Sequence, residues 1–246
     1  MISADLRADF PALLHPETQA WIKRLEARSA RTGYPVDFDN FPTPKGIALR
    51  AIQGLVNTDF RPLNFLDPGA GDDGVWGEQV YRAWPNICGT AVDIRQIPAP
   101  KVNYDRFYGG TDFLAWQPEG NPYFDLIVGN PPFGIVEPWI ERCQELLAPG
   151  GIICLFLRLA IMAGQKRRTR IWERFPARHV AVLSRRPSFT SNGVSDPKTE
   201  YMLVIWQRGW KGPMEWYPID WQPLDEESQQ VYNYNTPENG NGEVEE

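Results

Sequence analysis

The sequence predicts an α/β fold with a mostly parallel central sheet and an antiparallel hairpin at its edge. The prediction depends on short, largely unbroken apolar runs and on amphipathic segments that separate most of them. Unbroken runs indicate strands buried on both faces, and a helix between consecutive strands implies that the strands are parallel. The 246 residues are enough for one such domain with a substantial core.

Each element follows from its local pattern. Strands are predicted where short apolar runs occur, over residues 63–66, 87–92, 124–128, 152–157, 179–183 and 201–206, with a further short stretch at Phe107 and Tyr108. Helices are predicted where apolar residues recur at helical spacing, over residues 16–30, 43–56, 76–83, 136–147 and 160–175. No helix separates the last two strands, which predicts the antiparallel hairpin.

Charge is distributed unevenly along the chain. The net charge is −6, yet the segment from Arg158 to Arg186 contains nine Lys and Arg residues and one acid, Glu173. No Lys or Arg follows Lys211, whereas nine acids do. We therefore predict an N-terminal helical and loop segment over residues 1–40, a central domain over 41–222 and a disordered acidic tail over 223–246.

Cysteine and histidine usage indicates a reducing compartment. Cys88, Cys143 and Cys154 are widely separated, as are His15 and His179, so neither a disulfide framework nor a metal site is expected. The N-terminus lacks an apolar signal core, and no apolar run approaches the length that spans a membrane. These features predict a cytoplasmic protein with no membrane partner.

Four polar side chains stand at or near predicted strand ends: Asp67, Asp93, Asp112 and Asn130. In open α/β sheets, ligands bind beyond the carboxyl ends of the strands. The sequence therefore predicts a binding site to which these four residues contribute.

The first candidate motif is the glycine-rich turn over residues 67–74, Asp-Pro-Gly-Ala-Gly-Asp-Asp-Gly. Glycines allow a tight turn and a close approach of the backbone to a ligand. Asp93 lies at a suitable distance for the ribose of a dinucleotide, but Asp72 and Asp73 stand where a pyrophosphate needs N–H groups. Acids here favour a ligand with an amine and a sulfonium, such as S-adenosylmethionine. A plain strand-to-helix turn is the structural alternative.

The second candidate motif is Asn130-Pro131-Pro132-Phe133, which follows the strand over residues 124–128. The prolines fix the backbone and remove two donors, leaving carbonyls beside an amide that also accepts. Such acceptors hold the N–H groups of an amine, and Phe133 offers a face for a planar base. A rigid loop with a core phenylalanine is the alternative interpretation.

Together the two motifs resemble those of Rossmann-like amino-methyltransferases. Phe41-Pro42-Thr43-Pro44, which precedes the glycine turn, is similar to the Phe-x-Thr-Pro element of adenine-N6 DNA methyltransferases of the gamma motif order. The resemblance extends over residues 41–206, is strongest to small phage-type enzymes, and implies that residues 41–222 are a Rossmann-like methyltransferase domain. It also implies a restriction-modification setting in a bacterial host or a phage-infected cell. The third glycine of the usual turn is replaced by Asp73, with Gly74 one place later.

The resemblance implies a role for each matching residue. Those expected to bind S-adenosylmethionine are Phe41, Thr43 and Pro44 at its methionine part, Asp67, Gly69 and Gly71 in the turn, Asp93 at the ribose, Ile94 at the adenine ring, and Asp112 with Phe113 at the adenine amine. Those expected to hold the target are Asn130, Pro131, Pro132 and Phe133, of which Phe133 stacks on the base.

The implied substrate is an adenine of duplex DNA, which must be flipped out before its N6 amine can attack the methyl group. The basic segment offers Lys166, Arg167, Arg168 and Arg170 for phosphates, although a solvated helix face is equally consistent with the charges. Arg185, Arg186 and Phe189 lie in a loop at an end of the sheet, and Phe189 is hypothesised to pack on the flipped base. Without a separate recognition domain, we expect a short or relaxed target site.

Several alternatives remain open at this point. Cytosine N4 in DNA, amines of ribosomal RNA and the glutamine amide of a protein present similar N–H donors to the same tetrapeptide. A catalytically inactive, DNA-binding regulator with this fold is a further alternative. A homodimer is compatible with the sequence.

Overall fold

The computed structural model describes residues 14–32, 41–187 and 199–221. The strands are β1 (Asn64–Pro68), β2 (Cys88–Asp93), β3 (Arg106–Gly109), β4 (Phe124–Gly129), β5 (Leu147–Arg158), β6 (His179–Leu183), β7 (Tyr201–Gln207) and β8 (Glu215–Ile219). They form one sheet in the order β3-β2-β1-β4-β5-β7-β6-β8. Residues 1–13 and 33–40 of the predicted N-terminal segment and the predicted tail over 223–246 lie outside the described residues.

Strand directions confirm the predicted fold class. The strands β1 to β5 run parallel to one another, and β7 is antiparallel to both β5 and β6. The strand order reverses between β1 and β4, because β2 and β3 lie on one side of β1 and β4 lies on the other. Such a reversal creates a crevice at the carboxyl ends of the strands, where ligands bind in open α/β sheets.

Four helices cover the two faces of the sheet: α1 (Pro16–Thr32), α2 (Lys45–Val56), α3 (Val75–Ala83) and α4 (Val136–Leu146). The helices α1 and α4 pack on one face and α2 and α3 on the other. Trp21 and Leu25 of α1 are buried in the same core as the sheet. None of the described helices is long and apolar enough to cross a membrane.

The strand β5 contains an unbroken apolar run because both of its faces are buried. Residues 152–157 are all at most 5% exposed. Ile153, Leu155 and Leu157 belong to the core under one helical layer, and the alternate residues belong to the core under the other. Since successive side chains of a strand point to opposite faces, a strand covered on both sides has no position for a polar residue.

Two elements differ from the sequence prediction. The single helix predicted over residues 160–175 is wrong: the chain forms short turns at Leu159–Met162, Gln165–Arg167 and Arg168–Trp172. Gly164 interrupts them with φ 116° and ψ 133°, which is not a helical conformation. The strand β8 is absent from the prediction, and it extends the sheet beyond the predicted hairpin, parallel to β6.

Candidate cofactor and amine-binding site

An open cavity lies at the carboxyl ends of β1, β2 and β4. Its empty space, including the part open to solvent, is about 800 Å³. Eight of the residues predicted to bind cofactor or target line this cavity: Phe41, Thr43, Gly69, Gly71, Asp93, Ile94, Asn130 and Pro132. The fold therefore brings the three sequence motifs together.

The glycine turn follows β1, leads into α3 and is hydrogen-bonded to the end of β2. Gly69 and Gly71 have φ angles of 73° and 72°, a conformation that other residues adopt only with strain. The Gly69 N–H donates to the Val92 carbonyl at 2.6 Å, and the Gly71 N–H donates to Asp93 Oδ2 at 3.0 Å. Gly74, the displaced third glycine, also has a positive φ of 59° and caps the start of α3.

Asp93 is held by an arginine that the sequence interpretation missed. Its carboxylate accepts from the Arg95 N–H at 2.9 Å, from Arg95 Nε at 3.0 Å and from Arg95 Nη2 at 3.1 Å, besides the Gly71 N–H. These four bonds fill the acceptor capacity of a carboxylate. Ribose hydroxyls can therefore reach Asp93 only by replacing one of the present donors. Arg95 lines the cavity and also contacts Asp72 at 3.2 Å.

Asp67 lies behind the turn rather than in the cavity wall. Its side chain is fully buried, and Tyr104 donates a hydrogen bond to Asp67 Oδ2 at 2.6 Å. Burial raises the pKa of Asp67 to about 7, although the hydrogen bond from Tyr104 opposes this shift. Asp67, which was expected to form the cofactor turn, therefore does not line the cavity in this structure.

The structure does not bring Asp112 and Phe113 to the cavity. The Asp112 carboxylate accepts hydrogen bonds from the main-chain N–H of His15 at 2.8 Å and from Thr18 Oγ1 at 3.0 Å, so it tethers the start of α1. Phe113 packs behind the cavity, with its ring 4.7 Å from that of Trp139. Pro44 is also outside the lining, because it is the residue that precedes α2.

Asn130 connects the two motifs that flank the cavity. Its Nδ2 donates to the main-chain carbonyl of Phe41 at 2.8 Å. The amide is thereby oriented with Oδ1 on the other side, and this buried oxygen accepts no hydrogen bond from the described residues. Thr43 lies in the same wall of the cavity. Its hydroxyl accepts a hydrogen bond from the Trp76 indole N–H at 3.2 Å. The site thus contains a fixed, unpaired acceptor beside the cavity.

Phe133 begins a short 3₁₀ turn, Phe133–Ile135, and does not line the cavity; neither does Pro131. Its ring lies 5.9 Å from that of Phe41 and 6.0 Å from that of Tyr201. The guanidinium carbon of Arg158 is 4.2 Å from the centroid of the Phe133 ring. In this structure Phe133 is therefore part of an aromatic cluster next to Asn130.

Two tryptophans in the cavity wall are further residues that the motif pattern missed. Trp76 is in the first turn of α3, and Trp139 is in α4. The Trp139 ring lies 3.5 Å from the position that a Cβ on Gly69 would occupy. Both are buried apolar positions of helices, and such residues usually belong to a core. Only their position directly after the glycine turn and the Asn-Pro-Pro-Phe motif could have identified them.

The basic segment is largely paired with acids. Arg167 Nε lies 3.0 Å from Glu137, and Arg170 forms two hydrogen bonds with Glu141, at 2.7 and 2.9 Å. Pairing with Arg170 lowers the pKa of Glu141. Arg168 is similarly paired with its neighbour Glu173. Three of the four predicted phosphate ligands thus have carboxylate partners, whereas Lys166 is exposed and forms no ion pair with the described residues.

The predicted loop residues are only partly described. Arg186 forms an ion pair with Glu200. The Arg185 side chain is exposed, and its main-chain carbonyl accepts from the Trp221 indole at 2.8 Å. Phe189 lies outside the described residues. Among the residues that the structure describes, no cluster of three His, Cys, Asp or Glu residues could hold a metal ion.

No protein-family model and no curated protein sequence matches the chain. Solved structures do match. A protein from Listeria monocytogenes, named as a class I S-adenosylmethionine-dependent methyltransferase, aligns with a TM-score of 0.56 at 13% identity, over 87% of this chain and 76% of that one. The fold is therefore that of class I S-adenosylmethionine-dependent methyltransferases.

Two methyltransferase subunits of type I restriction-modification systems have the same fold. The subunit from Streptococcus thermophilus aligns with a TM-score of 0.56 at 14% identity, over 78% of this chain and 52% of that one. The M protein of EcoKI aligns with a TM-score of 0.51 at 13% identity, over 75% and 49%. The present chain thus spans about half the length of these two subunits.

Proposed function

We propose that this protein is an S-adenosylmethionine-dependent methyltransferase that methylates the N6 amine of adenine in DNA. The observation that carries the proposal is the amide of Asn130, whose Nδ2 is bound by the Phe41 carbonyl while Oδ1 is a buried acceptor without a partner. An unpaired buried acceptor costs about 1–3 kcal/mol. An N–H of a target amine would remove this cost.

The composition of the cavity suits the cofactor. Asp72, Asp73 and Asp93 line it, with Arg95 as the cation among them. A carboxylate-rich wall attracts the positive amine and sulfonium of S-adenosylmethionine and disfavours a phosphate. Trp76 and Trp139 supply apolar walls, as expected for a site that binds a largely organic ligand.

The bound cofactor would supply a methyl group on a positively charged sulfur. The role of the chain is to align the amine with that group and to free its lone pair. An N–H held by Asn130 Oδ1 turns the lone pair of the nitrogen away from the base ring. With the lone pair so directed, the nitrogen would be able to form the new N–CH₃ bond as the C–S bond breaks and its electrons pass to sulfur. The methylated amine finally loses a proton to solvent.

Three observations support DNA adenine as the target. The Phe-Pro-Thr-Pro element lies in the cavity wall through Phe41, Pro42 and Thr43. Two proteins with the same fold are named as subunits of restriction-modification systems. The acceptor Oδ1 of Asn130 could also hold an N–H of a base that has been flipped out of the duplex. Cytosine N4, RNA amines and protein glutamine remain candidates for the same acceptor, and a catalytically inactive regulator would have no use for it.

The test is a competition between substrates. Labelled methyl transfer from S-adenosylmethionine would be measured on unmethylated duplex DNA, ribosomal RNA and bacterial protein, together and separately, with mass spectrometry of the products. We expect N6-methyladenine from DNA as the main product. Label found in N4-methylcytosine, RNA or methylglutamine would contradict the adenine assignment, and no transfer at all would contradict enzymatic activity.

A further inference from the structure

The side chain of Arg158 lies next to the proposed target site. Arg158 is the last residue of β5, which neighbours β4, and Asn130 directly follows β4. On its other side, Arg158 is paired in register with Tyr201 of β7. Its guanidinium carbon lies 4.2 Å from the centroid of the Phe133 ring and 5.8 Å from that of Phe41. The cation is therefore stacked on the two aromatic rings that flank Asn130.

Arg158 differs from the arginines of the neighbouring basic segment in its lack of a partner. Arg167, Arg170 and Arg174 are compensated by the carboxylates of Glu137 and Glu141. The Arg158 side chain forms neither an ion pair nor a hydrogen bond with the described residues, and its Nε is buried. A guanidinium has five N–H donors and no acceptor. Its natural ligand is an anion or another strong acceptor, and the side chain is bonded to neither in the described part of the chain.

We propose that Arg158 binds a phosphate next to the target nucleotide, and this inference rests on the proposed function. The planar fork of a guanidinium matches the oxygens of a phosphate. Stacking on Phe133 and Phe41 restricts the side chain, so that less rotational freedom is lost on binding. The acids of the cofactor turn, Asp72 and Asp73, lie on the opposite side of the site and would repel the same group. Arg158 therefore selects nucleotide substrates over a protein glutamine, which has no anionic group beside its amide.

A chemical double-mutant cycle tests the assignment. The methylated adenine is first located by sequencing DNA modified by the wild-type protein. Duplexes are then made in which the linkage 5′ or 3′ of that adenine is a neutral methylphosphonate. With wild-type protein, we expect one of the two to lower kcat/KM about tenfold. With Arg158→Ala, natural DNA should lose about the same factor, and the methylphosphonate should cause less than a twofold further loss.

Three further variants and two further readouts separate this role from a merely structural one. Arg174→Ala is the matched control, because Arg174 is 59% exposed and paired with Glu141; it should respond to the methylphosphonate as the wild type does. Arg158→Lys retains the charge and should recover part of the activity. Arg158→Gln, which has no charge, replaces the alanine variant in the cycle if that variant is unfolded by circular dichroism. In Arg158→Ala, the affinity for S-adenosylmethionine, measured by calorimetry, should equal that of the wild type. The slope of log kcat/KM against log salt should be smaller in magnitude by about 0.9 in Arg158→Ala than in the wild type, which is the contribution of one phosphate.

The outcomes distinguish the two proposals. If wild-type protein methylates DNA but Arg158→Ala keeps full sensitivity to both methylphosphonates, the phosphate assignment is overturned and the proposed function stands. Normal activity of Arg158→Ala on natural DNA would overturn it as well. If wild-type protein binds S-adenosylmethionine but methylates no DNA, the proposed substrate fails, and the assignment of Arg158 fails with it.

Discussion

Asn130 Nδ2 donates a hydrogen bond to the main-chain carbonyl of Phe41 at 2.8 Å, across 89 positions of the sequence. This bond joins the Phe-Pro-Thr-Pro segment before the glycine turn to the Asn-Pro-Pro-Phe segment after β4. Because a carbonyl can only accept, the bond fixes which end of the Asn130 amide remains available. The available end is an acceptor, as an attacking amine requires.

The first prediction concerns the glycine turn. Gly71→Ala should weaken the binding of S-adenosylmethionine at least fivefold, because Gly71 lines the cavity with φ 72° and its N–H holds Asp93. The matched control is Gly150→Ala. Gly150 has φ 75°, and a Cβ there would meet nothing within 4 Å.

Both glycine variants should lose about 1–2 kcal/mol of unfolding free energy through the same backbone strain. Calorimetric titration with the cofactor, next to urea denaturation, measures the two effects. Equal cofactor affinity in the two variants would show that the turn does not contact the cofactor.

The second prediction compares two acids that share Arg95. The Asp93 side chain is 5% exposed in its pair with Arg95, whereas Asp72 is 65% exposed. Asp93→Ala leaves a buried guanidinium without its main partner and should cost about 3 kcal/mol of unfolding free energy. Asp72→Ala should cost less than about 1 kcal/mol, since water screens the exposed pair. Chemical denaturation of the two variants checks this order, and similar losses would contradict it.

The third prediction follows from the buried carboxyl of Asp67. Its pKa is about 7 in the folded chain and about 4 when unfolded, so the folded state holds the extra proton between these values. The contribution of Asp67 to the free energy of unfolding should therefore be largest below pH 4, fall as the pH rises toward 7, and stay constant above pH 7. The total loss is at most about 4 kcal/mol.

Asp67→Asn should abolish this part of the pH dependence, which is read from the difference between variant and wild type in denaturation at several pH values. Tyr104→Phe removes the donor that favours the charged carboxylate, so it should move the fall in stability to higher pH. A wild type that gains stability relative to Asp67→Asn between pH 4 and pH 7 would contradict the account.

The parallel core of the fold could be predicted from the sequence because the signal is local. The apolar run over residues 152–157 requires burial on both faces whatever its neighbours are. The break at Gly164 and the strand β8 could not be predicted in the same way. Gly164 is one glycine in an otherwise helical pattern, and β8 exposes Trp216 and Tyr217 to solvent, so its residues do not show the pattern of a buried strand.

The site was predictable to the extent that strand ends identify it. Asn130 and Asp93 line the cavity. Asp67 and Asp112 were predicted from the same kind of position, yet Asp67 is buried against Tyr104 and Asp112 holds the start of α1. A strand end alone does not distinguish a ligand contact from a buried tether. Likewise, the charges of residues 166–170 do not reveal that α4 supplies Glu137 and Glu141 as partners, because these pairs form only in the folded chain.

The most direct test of the central claim is methyl transfer to unmethylated duplex DNA by the wild type, Asn130→Ala and Asn64→Ala. Asn64 is a matched control: its amide is also bonded to the backbone, at 2.7 and 3.2 Å, but at the start of β1. We predict N6-methyladenine from the wild type and from Asn64→Ala, and a loss of about a hundredfold in kcat for Asn130→Ala with unchanged cofactor affinity. Transfer by Asn130→Ala within a few-fold of the wild type would contradict the role assigned to Asn130 Oδ1.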